Sequence, residues 1–434
     1  MIERQTETET AVLIGFEKPG DTIAAVRESL EELASLVRTL GLEPLRSEVV
    51  KLRETRPKYL AGSGKAHEIS EIAHELNADC LIFDDELSPS QQRNWDKLSG
   101  IAALDRHGVI LDIFADHAQT KEARLQIELA QLEYTLPRLT NAWTHLSRQR
   151  GGARGTRGEG ETQLEMDRRT ILRRIHKMKE ELDSVRSGRR TMRKQRGAVP
   201  VPTGAIVGYT NAGKSSLLRL LTGADVLVED KLFATLDPTT RRVDLETGAE
   251  VVLTDTVGFI RRLPHDLVEA FKSTLEEATL ADFLVQVLDA SDPHVEHHHQ
   301  VTREVLSELG AADKPVITVC NKVDRSSDRD DFGDRLDFVT RLDGPVVYLS
   351  AKTGEGADEL RAAIQQVIQR RFETVRFAFP SARYDMASKL YEHGEVLKAD
   401  YEGDSMIVVA RVPNRVKTQL ADYLSDAADA SQSA

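Results

Sequence analysis

Short apolar runs alternate with amphipathic stretches along the first 115 positions. AVLIGF (11–16) predicts a buried strand, and the stretch from Thr22 to Leu40 carries helical periodicity. DCLIFDDEL (79–87) and GVILDIFA (108–115) predict two further strands, so the pattern is βαβ and implies a small α/β domain with a parallel sheet. In FDDELSPSQQRNW (83–95) a strand ends and Ser88 with Pro89 opens a helix, because proline is tolerated in the first helical turn. GSGK (62–65) resembles a phosphate loop but fails the pattern: Tyr59 stands where its first glycine belongs, and Ala66 replaces the hydroxyl residue that would meet a metal. It reads either as a tight turn into a helix or as a contact to RNA or nucleotide.

From Asp116 to about Leu146, and again from Glu161 to about Gln195, the chain is helix-forming. Leu125, Leu129 and Leu132 fall on one face of the first stretch, and Leu164, Ile171, Ile175, Met178 and Leu182 on one face of the second. RQRGGARGTRGEGET joins them, and its closely spaced glycines preclude regular structure, which predicts a helical hairpin with an arginine-rich tip. Arg148, Arg150, Arg154 and Arg157 are the candidate RNA contacts there, since guanidinium forks suit phosphates and their planes suit unpaired bases.

GAVPVPTG then acts as a linker, and a second α/β pattern follows from about Ala205 to Phe372. RFAFP and MIVVARVP predict strands around an amphipathic helix near Ala387 to Gly394, and the tail from Asp422 is rich in Asp, Ala and Ser. The expected divisions are 1–115, 116–200, 201–372 and 373–434. They make an α/β chain: an N-terminal α/β domain, a helical hairpin, a phosphate-loop domain with a mostly parallel sheet, and a small α+β C-terminal domain.

Four motifs inside the third division carry the chemistry. GYTNAGKSS (208–216) follows the buried strand AIVGYT and opens a helix, so backbone N–H groups and the helix dipole converge on an anion. DTVGF (255–259) ends the apolar run EVVLTD, NKVD (321–324) follows PVITVC, and SAK (350–352) comes last. Motifs in this order and spacing predict a pocket for GTP. Its residues are Gly208, Tyr209, Thr210, Asn211, Ala212, Gly213, Lys214, Ser215 and Ser216, then Phe233, Ala234, Thr235, Leu236 and Asp237, then Asp255, Thr256, Val257 and Gly258. Asn321, Lys322, Val323 and Asp324, with Ser350, Ala351 and Lys352, complete it on the base side.

Lys214 is expected to reach the β- and γ-phosphates, and Ser215 and Thr235 to hold Mg²⁺, with Thr239 and Thr240 as rivals to Thr235. Asp255 would hold the metal through water, and the Gly258 N–H would report the γ-phosphate; Lys214, Thr235 and Gly258 are the expected catalytic set. Guanine is specified because Asp324 accepts from donors that adenine lacks, Asn321 bonds the Hoogsteen edge, Lys322 lies along the ring and Ala351 offers an N–H. Many GTPases place Gln directly after the DxxG glycine to orient water; here Phe259 stands there, so hydrolysis by the isolated protein should be slow. Asn211 offers an oxygen either to a monovalent cation such as K⁺ or to the turn of its own loop. HVEHHHQ (294–300) places His294 and His298 at helical metal-ligand spacing, but no acidic or cysteine ligand pairs with them, and the expectation is a surface helix start.

Composition sharpens this picture. At 434 residues, 40% hydrophobic and 30% charged, the chain has room for about three globular domains. No run of 18 apolar residues exists and MIERQTETET is no signal peptide, which predicts a cytoplasmic protein with no membrane span. Cys80 and Cys320 sit in separate apolar runs, as buried strand positions rather than a disulfide or metal pair. The formal charge is −13, yet Arg148 to Arg196 holds 16 Lys and Arg against 7 Asp and Glu, a net +9 that leaves about −22 elsewhere. One basic limb on an acidic body suits contact with a polyanion through that limb alone.

ELSPSQQRN, LQIELAQLEYTLPRL, GGARGTRGEGETQLEMDRR, FATLDPTTRR and DTVGFIRRLPHDLVEAF together resemble the signatures of the HflX family of GTPases. The resemblance implies a family-specific N-terminal domain, a helical linker, a Ras-like GTPase domain and a small C-terminal domain. It implies a monomeric GTPase that binds the large ribosomal subunit, its glycine-rich loop directed at rRNA near the peptidyl-transferase region, and that splits or rescues stalled ribosomes, notably after heat stress. A hydrophobic residue at Phe259 fits that group. Assembly of large subunits, and ATP-dependent RNA remodelling through the N-terminal domain, are the alternative activities.

Overall fold

The computed structural model describes residues 9–141, 157–196, 201–223, 232–233, 235–245, 250–262, 277–325, 336–369, 372–380 and 383–425. They divide into two units: residues 1–188 with segments 228–237 and 257–275, and the remainder.

In the first unit, β1 (Thr10–Glu17), β2 (Glu43–Lys51), β3 (Cys80–Phe83) and β4 (Ala102–Asp105) form one sheet in the order β2-β1-β3-β4, with every pairing parallel. Helices α1 (Ile23–Thr39), α2 (Ser63–Glu75) and α3 (Pro89–Ser99) connect the strands. Each helix start is chemically specified. The Thr22 side chain caps α1, and Ser88 and Gln91 exchange bonds in a capping box at α3, with Pro89 in its first turn. Phe83 packs on Trp95 with ring centroids 4.7 Å apart and planes tilted by 42°, in a core with Val12, Ile14, Leu81 and Ala66. Burying each such large side chain stabilises by about 1.5–3 kcal/mol.

GVILDIFA is not a strand. It lies in a helix, α4 (Arg106–His117), and the strand is the preceding Ala102–Asp105. Asp105 ends that strand, and its side chain accepts the Gly108 N–H at 2.9 Å, which starts the helix. Val109, Ile110, Leu111, Ile113 and Phe114 are all buried and only Asp112, Ala115 and Asp116 face out, so the exposed stripe is narrow and the apolar run imitates a buried strand. At GSGK, Gly62 is the N-cap of α2, Ala66 is buried and Lys65 pairs with Glu68 at 2.7 Å on an exposed face.

The predicted first hairpin helix is shorter than expected. α5 spans Lys121–Thr135 and gives way to a 3₁₀ turn, Leu136–Asn141, at Pro137. Its most buried apolar residues are Ala123, Ile127 and Ala130 rather than the leucines, which are only half-buried. α6 (Arg157–Arg196) starts four residues before the expected Glu161 and takes Gly158 and Gly160 into its first turns, so those glycines do not preclude helix; it buries Ile175, Met178 and Leu182, and Lys179 reaches Glu133 of α5 at 2.8 Å.

The second unit is built on a six-stranded sheet, β10-β9-β8-β5-β7-β6. Its strands are β5 (Thr203–Gly208), β6 (Thr239–Asp244), β7 (Glu250–Asp255), β8 (Phe283–Asp289), β9 (Val316–Asn321) and β10 (Val346–Tyr348). All pair in parallel except β6, which runs antiparallel to β7. Helices α7 (Lys214–Thr222), α8 (Val295–Glu308) and α9 (Ala357–Gln369) accompany it. Ile206, Val285, Val287 and Val319 of the central strands meet Leu217, Leu221, Leu360 and Ile364 of α7 and α9 in one core. Strands read as continuous apolar runs because both faces are covered.

The unit ends in a three-stranded antiparallel sheet, β11 (Phe372–Pro380), β13 (Ser405–Pro413) and β12 (Glu395–Glu402), with α10 (Tyr384–His393) and α11 (Asn414–Gln419). Phe377, Phe379, Leu390 and Val408 form its core. β12 escaped the sequence reading because EVLKADYE is charged and carries a register shift between Val396 and Lys398 that breaks the alternation. No described helix is long and apolar enough to cross a membrane.

Candidate nucleotide site

The phosphate loop leaves the carboxyl end of β5 and enters α7. Two glycines there are required by geometry. Gly208 has φ of 145°, and a Cβ on it would lie 2.3 Å from the Val287 carbonyl oxygen. Gly213 has φ of 98°, and its Cβ would meet Asn321 Nδ2 at 2.2 Å. Between them Asn211 is exposed at φ 57°, a conformation Asn tolerates better than most residues.

Lys214, the first residue of α7, is buried, and its Nζ donates to the Tyr209 carbonyl at 2.8 Å. Burial pushes its pKa down to about 8, with Asp255 opposing and Lys322 reinforcing the shift. Ser215 Oγ donates to Asp255 Oδ2 at 2.6 Å. The hydroxyl and the carboxylate that a Mg²⁺ site in a phosphate-loop GTPase uses therefore already face each other, and the donor set fits a hard, oxygen-seeking cation. Thr256 donates to the Ile206 carbonyl at 2.7 Å, fixing the end of β7 against β5. Ser216 lies half-buried in the first turn of α7; Thr210 and Ala212 are buried.

The motifs NKVD and SAK are bonded to each other and to the phosphate loop. Asn321 Nδ2 donates to the Ala212 carbonyl at 2.8 Å, and Asn321 Oδ1 accepts the Ala351 N–H at 3.0 Å. One side chain thus ties the phosphate loop to SAK. Ser350 Oγ donates to Asp324 Oδ1 at 2.6 Å and accepts the Thr353 N–H at 3.1 Å, so Asp324 is held with its carboxylate oriented. Lys322, at φ 66°, pairs with Asp289 at 2.7 Å. Val323 is half-buried beside it and Lys352 is exposed. Asp289 was invisible to the sequence reading because DASDP looks like an ordinary turn; its only signal is its place at the end of an apolar strand.

The segments carrying Phe233, Thr235, Leu236, Asp237, Val257, Gly258 and Phe259 belong to the first unit. There Phe233 packs edge-on against Phe114 with centroids 4.6 Å apart. Asp237 Oδ2 accepts the N–H groups of Gln119 and Thr120, each at 2.9 Å, where Thr120 caps α5. Thr235 is half-buried, Leu236, Val257 and Gly258 are buried, and Phe259 is 1% exposed. Arg261 pairs with Glu28, and Arg262 with Asp84 at 3.2 Å. Of the rivals to Thr235, Thr240 is bonded to Thr254 at 3.1 Å and Thr239 is the strand partner of Asp255. Ala234, Arg148, Arg150 and Arg154 lie outside the described residues, and Arg157 begins α6.

The histidine run departs from expectation. It does start a helix, with His294 as N-cap, but His298 turns inward and stacks on Tyr209 of the phosphate loop, centroids 3.8 Å apart and planes 11° from parallel. His299 lies against Phe338, and burial, then Arg303, holds its pKa below the ordinary histidine value. Among the described residues no group of three or more His, Cys, Asp or Glu could hold a metal ion.

Three family models match this chain: "GTP-binding GTPase N-terminal" over residues 27–115, "GTP-binding GTPase Middle Region" over 117–196 and "50S ribosome-binding GTPase" over 203–322. A GTPase HflX of Akkermansia muciniphila is 45% identical over 431 residues, covering 98% of this chain and 99% of that protein. The GTPase HflX of Escherichia coli is 42% identical, with coverage of 95% and 96%. A GTP-binding protein from Sulfolobus solfataricus, solved in complex with GDP, is 27% identical over 83% of this chain and 98% of its own, at a TM-score of 0.44.

Proposed function

Since this chain belongs to the HflX family of GTPases, we propose that it hydrolyses GTP in a cycle governed by the large ribosomal subunit, and that its GTP-bound form separates or rescues stalled ribosomes in the cytoplasm. The observation that carries the nucleotide half is the preassembled pocket. Lys214 at the start of α7, the facing Ser215 and Asp255, and the Asn321, Ser350 and Asp324 network support a site for a phosphate, a metal and a guanine respectively. Ser215 and Thr235 would hold Mg²⁺, which when bound neutralises charge on the β- and γ-phosphates. Lys214 exchanges its bond to the Tyr209 carbonyl for phosphate oxygens, and Asp324 selects guanine by accepting from N–H donors absent in adenine.

Water attacks the γ-phosphorus, the bond to the β–γ bridging oxygen breaks, and GDP leaves with that oxygen. Phe259 carries no group that can orient this water, so the acceleration must come from outside the pocket: from the ribosome, and in part from K⁺ at Asn211. The basic segment 148–196 supports RNA as the partner surface, with Arg148, Arg150, Arg154 and Arg157 as its contacts. The match to a 50S ribosome-binding GTPase model supports the large subunit as its owner.

GTP turnover measured with and without purified large subunits, beside light scattering of intact ribosomes, tests the reading. Turnover should rise steeply with large subunits, and scattering should fall when GTP is present. Equal turnover in both conditions would remove the ribosome from the cycle.

A further inference from the structure

Deepening that reading and resting on it, we propose that His298 is a positioning residue for the guanine nucleotide. Its stack on Tyr209 seats the phosphate loop and couples it to the base-recognition loop. Tyr209 is the first residue after Gly208, where φ of 145° leaves the backbone without side-chain restraint, so something else must fix the direction in which the loop departs. The Tyr209 ring supplies that anchor: it is 6% exposed and lies flat on the His298 imidazole at 3.8 Å. The Tyr209 carbonyl in turn accepts from Lys214 Nζ at 2.8 Å, so moving this residue moves the lysine that meets the phosphates.

His298 is itself held from the base side. Its Nδ1 lies 3.8 Å from Asp292, whose other oxygen accepts the His294 N–H at 2.8 Å and closes the first turn of α8. Asp292 follows Asp289, and the Asp292 N–H donates to the Asp289 carbonyl at 3.2 Å while the Asp289 carboxylate pairs with Lys322 at 2.7 Å. A continuous path therefore runs from Lys322 through Asp289, Asp292, His298 and Tyr209 to Lys214. It joins the residue expected along the guanine ring to the residue expected on the phosphates, and it passes through the first turns of α8.

An aromatic pair contributes enough for its loss to weaken nucleotide binding by about three- to tenfold. Binding of fluorescent GDP and GTP analogues should be measured for the full chain with His298→Ala, His298→Phe, Tyr209→Ala and the double alanine variant. His298→Ala should weaken both nucleotides by that factor, chiefly through faster release, and should raise KM for GTP more than it lowers kcat. His298→Phe keeps a flat ring in place and should stay within about twofold of wild type. The double variant should bind no worse than Tyr209→Ala alone, because both remove one shared contact. Nucleotide-free unfolding temperatures show whether each variant is folded; if His298→Ala is not, the Phe variant decides alone.

Unchanged affinity in His298→Ala, a Phe variant as weak as the alanine one, or additive effects in the double variant would each overturn the positioning role. Failure of the wild-type chain to bind GTP at all would instead overturn the functional reading beneath it.

Discussion

The two parallel sheets of this molecule share a plan and reverse its chemistry. In the second unit the strand end at Gly208 opens into a helix N-terminus with Lys214 behind it, a cradle for anions. The sheet of the first unit, in order β2-β1-β3-β4, has its topological switch between β1 and β3, the place where open α/β sheets hold ligands. That place is filled by ion pairs, carboxylates on the strand end matched by cations around it. Asp84 accepts from Ser29 Oγ at 2.7 Å, from Arg106 at 2.9 Å and from Arg262 at 3.2 Å, while Asp85 pairs with Lys18 and Glu32 with Arg106. Topology offers a crevice; the charge placed at the strand ends decides what enters it. With these carboxylates and cations already paired to one another, the crevice is not expected to take a triphosphate, which weighs against ATP-dependent RNA remodelling through this sheet.

Removing Arg106 is the most severe way to test that contrast. Arg106→Ala leaves the buried Asp84 and Glu32 without their central cation and should cost about 3–5 kcal/mol of stability in urea unfolding. A variant as stable as wild type would mean that the crevice is not a buried ionic network.

Lys214→Ala should weaken GTP on the order of a hundredfold, since a charge-assisted contact to each of two phosphates is lost. The same variant sharpens the comparison for ATP: titrated with labelled ATP it should show no binding, whereas ATP retained there would put a phosphate site back in the first unit.

The pH dependence should follow Lys214. Its pKa is lowered from 10.5 to about 8, so the folded, nucleotide-free chain holds fewer protons than the unfolded chain between those values. This group's contribution to stability therefore rises with pH across that window and is lost as pH falls through it. GTP requires the ammonium form, so affinity should fall above pH 8 by at most about tenfold per unit, with proton uptake on binding visible by calorimetry in two buffers. A flat profile up to pH 10 would mean that the lysine stays charged.

The smallest effect belongs to the basic limb. Replacing Arg150, Arg154 and Arg157 together by Ala should flatten the logarithmic salt dependence of large-subunit binding by something under about one unit per phosphate contact, with GTP affinity unchanged. Equal salt slopes for variant and wild type would make the limb a solvated loop.

Residues whose role is set by local covalent geometry were legible in the chain. Ser88 with Pro89 announced a helix start, and Gly208, Gly213, Lys214 and Ser215 announced a tight loop opening a helix, because caps and such loops are written in a few adjacent positions. GVILDIFA imitates a strand because within it only Asp112 and Ala115 face out, too narrow a stripe to mark a helical period. The links of Asp237 to Thr120, of Asp289 to Lys322 and of His298 to Tyr209 could not be read, since each joins residues distant along the chain through contacts that leave no periodic trace.

Cys80 and Cys320 are the only cysteines in the chain, and burial pushes each thiol up to about 12, with Glu9 and Asp79 adding to the shift at Cys80. At neutral pH the reactive thiolate is present in on the order of one molecule in ten thousand or fewer, and maleimide reagents should leave the folded protein untouched. The native chain is thus a silent background for site-directed labelling. Arg154→Cys would take one dye, and energy transfer from that dye to a labelled ribosome would test whether the basic limb arrives and departs within each round of GTP hydrolysis, as proposed above.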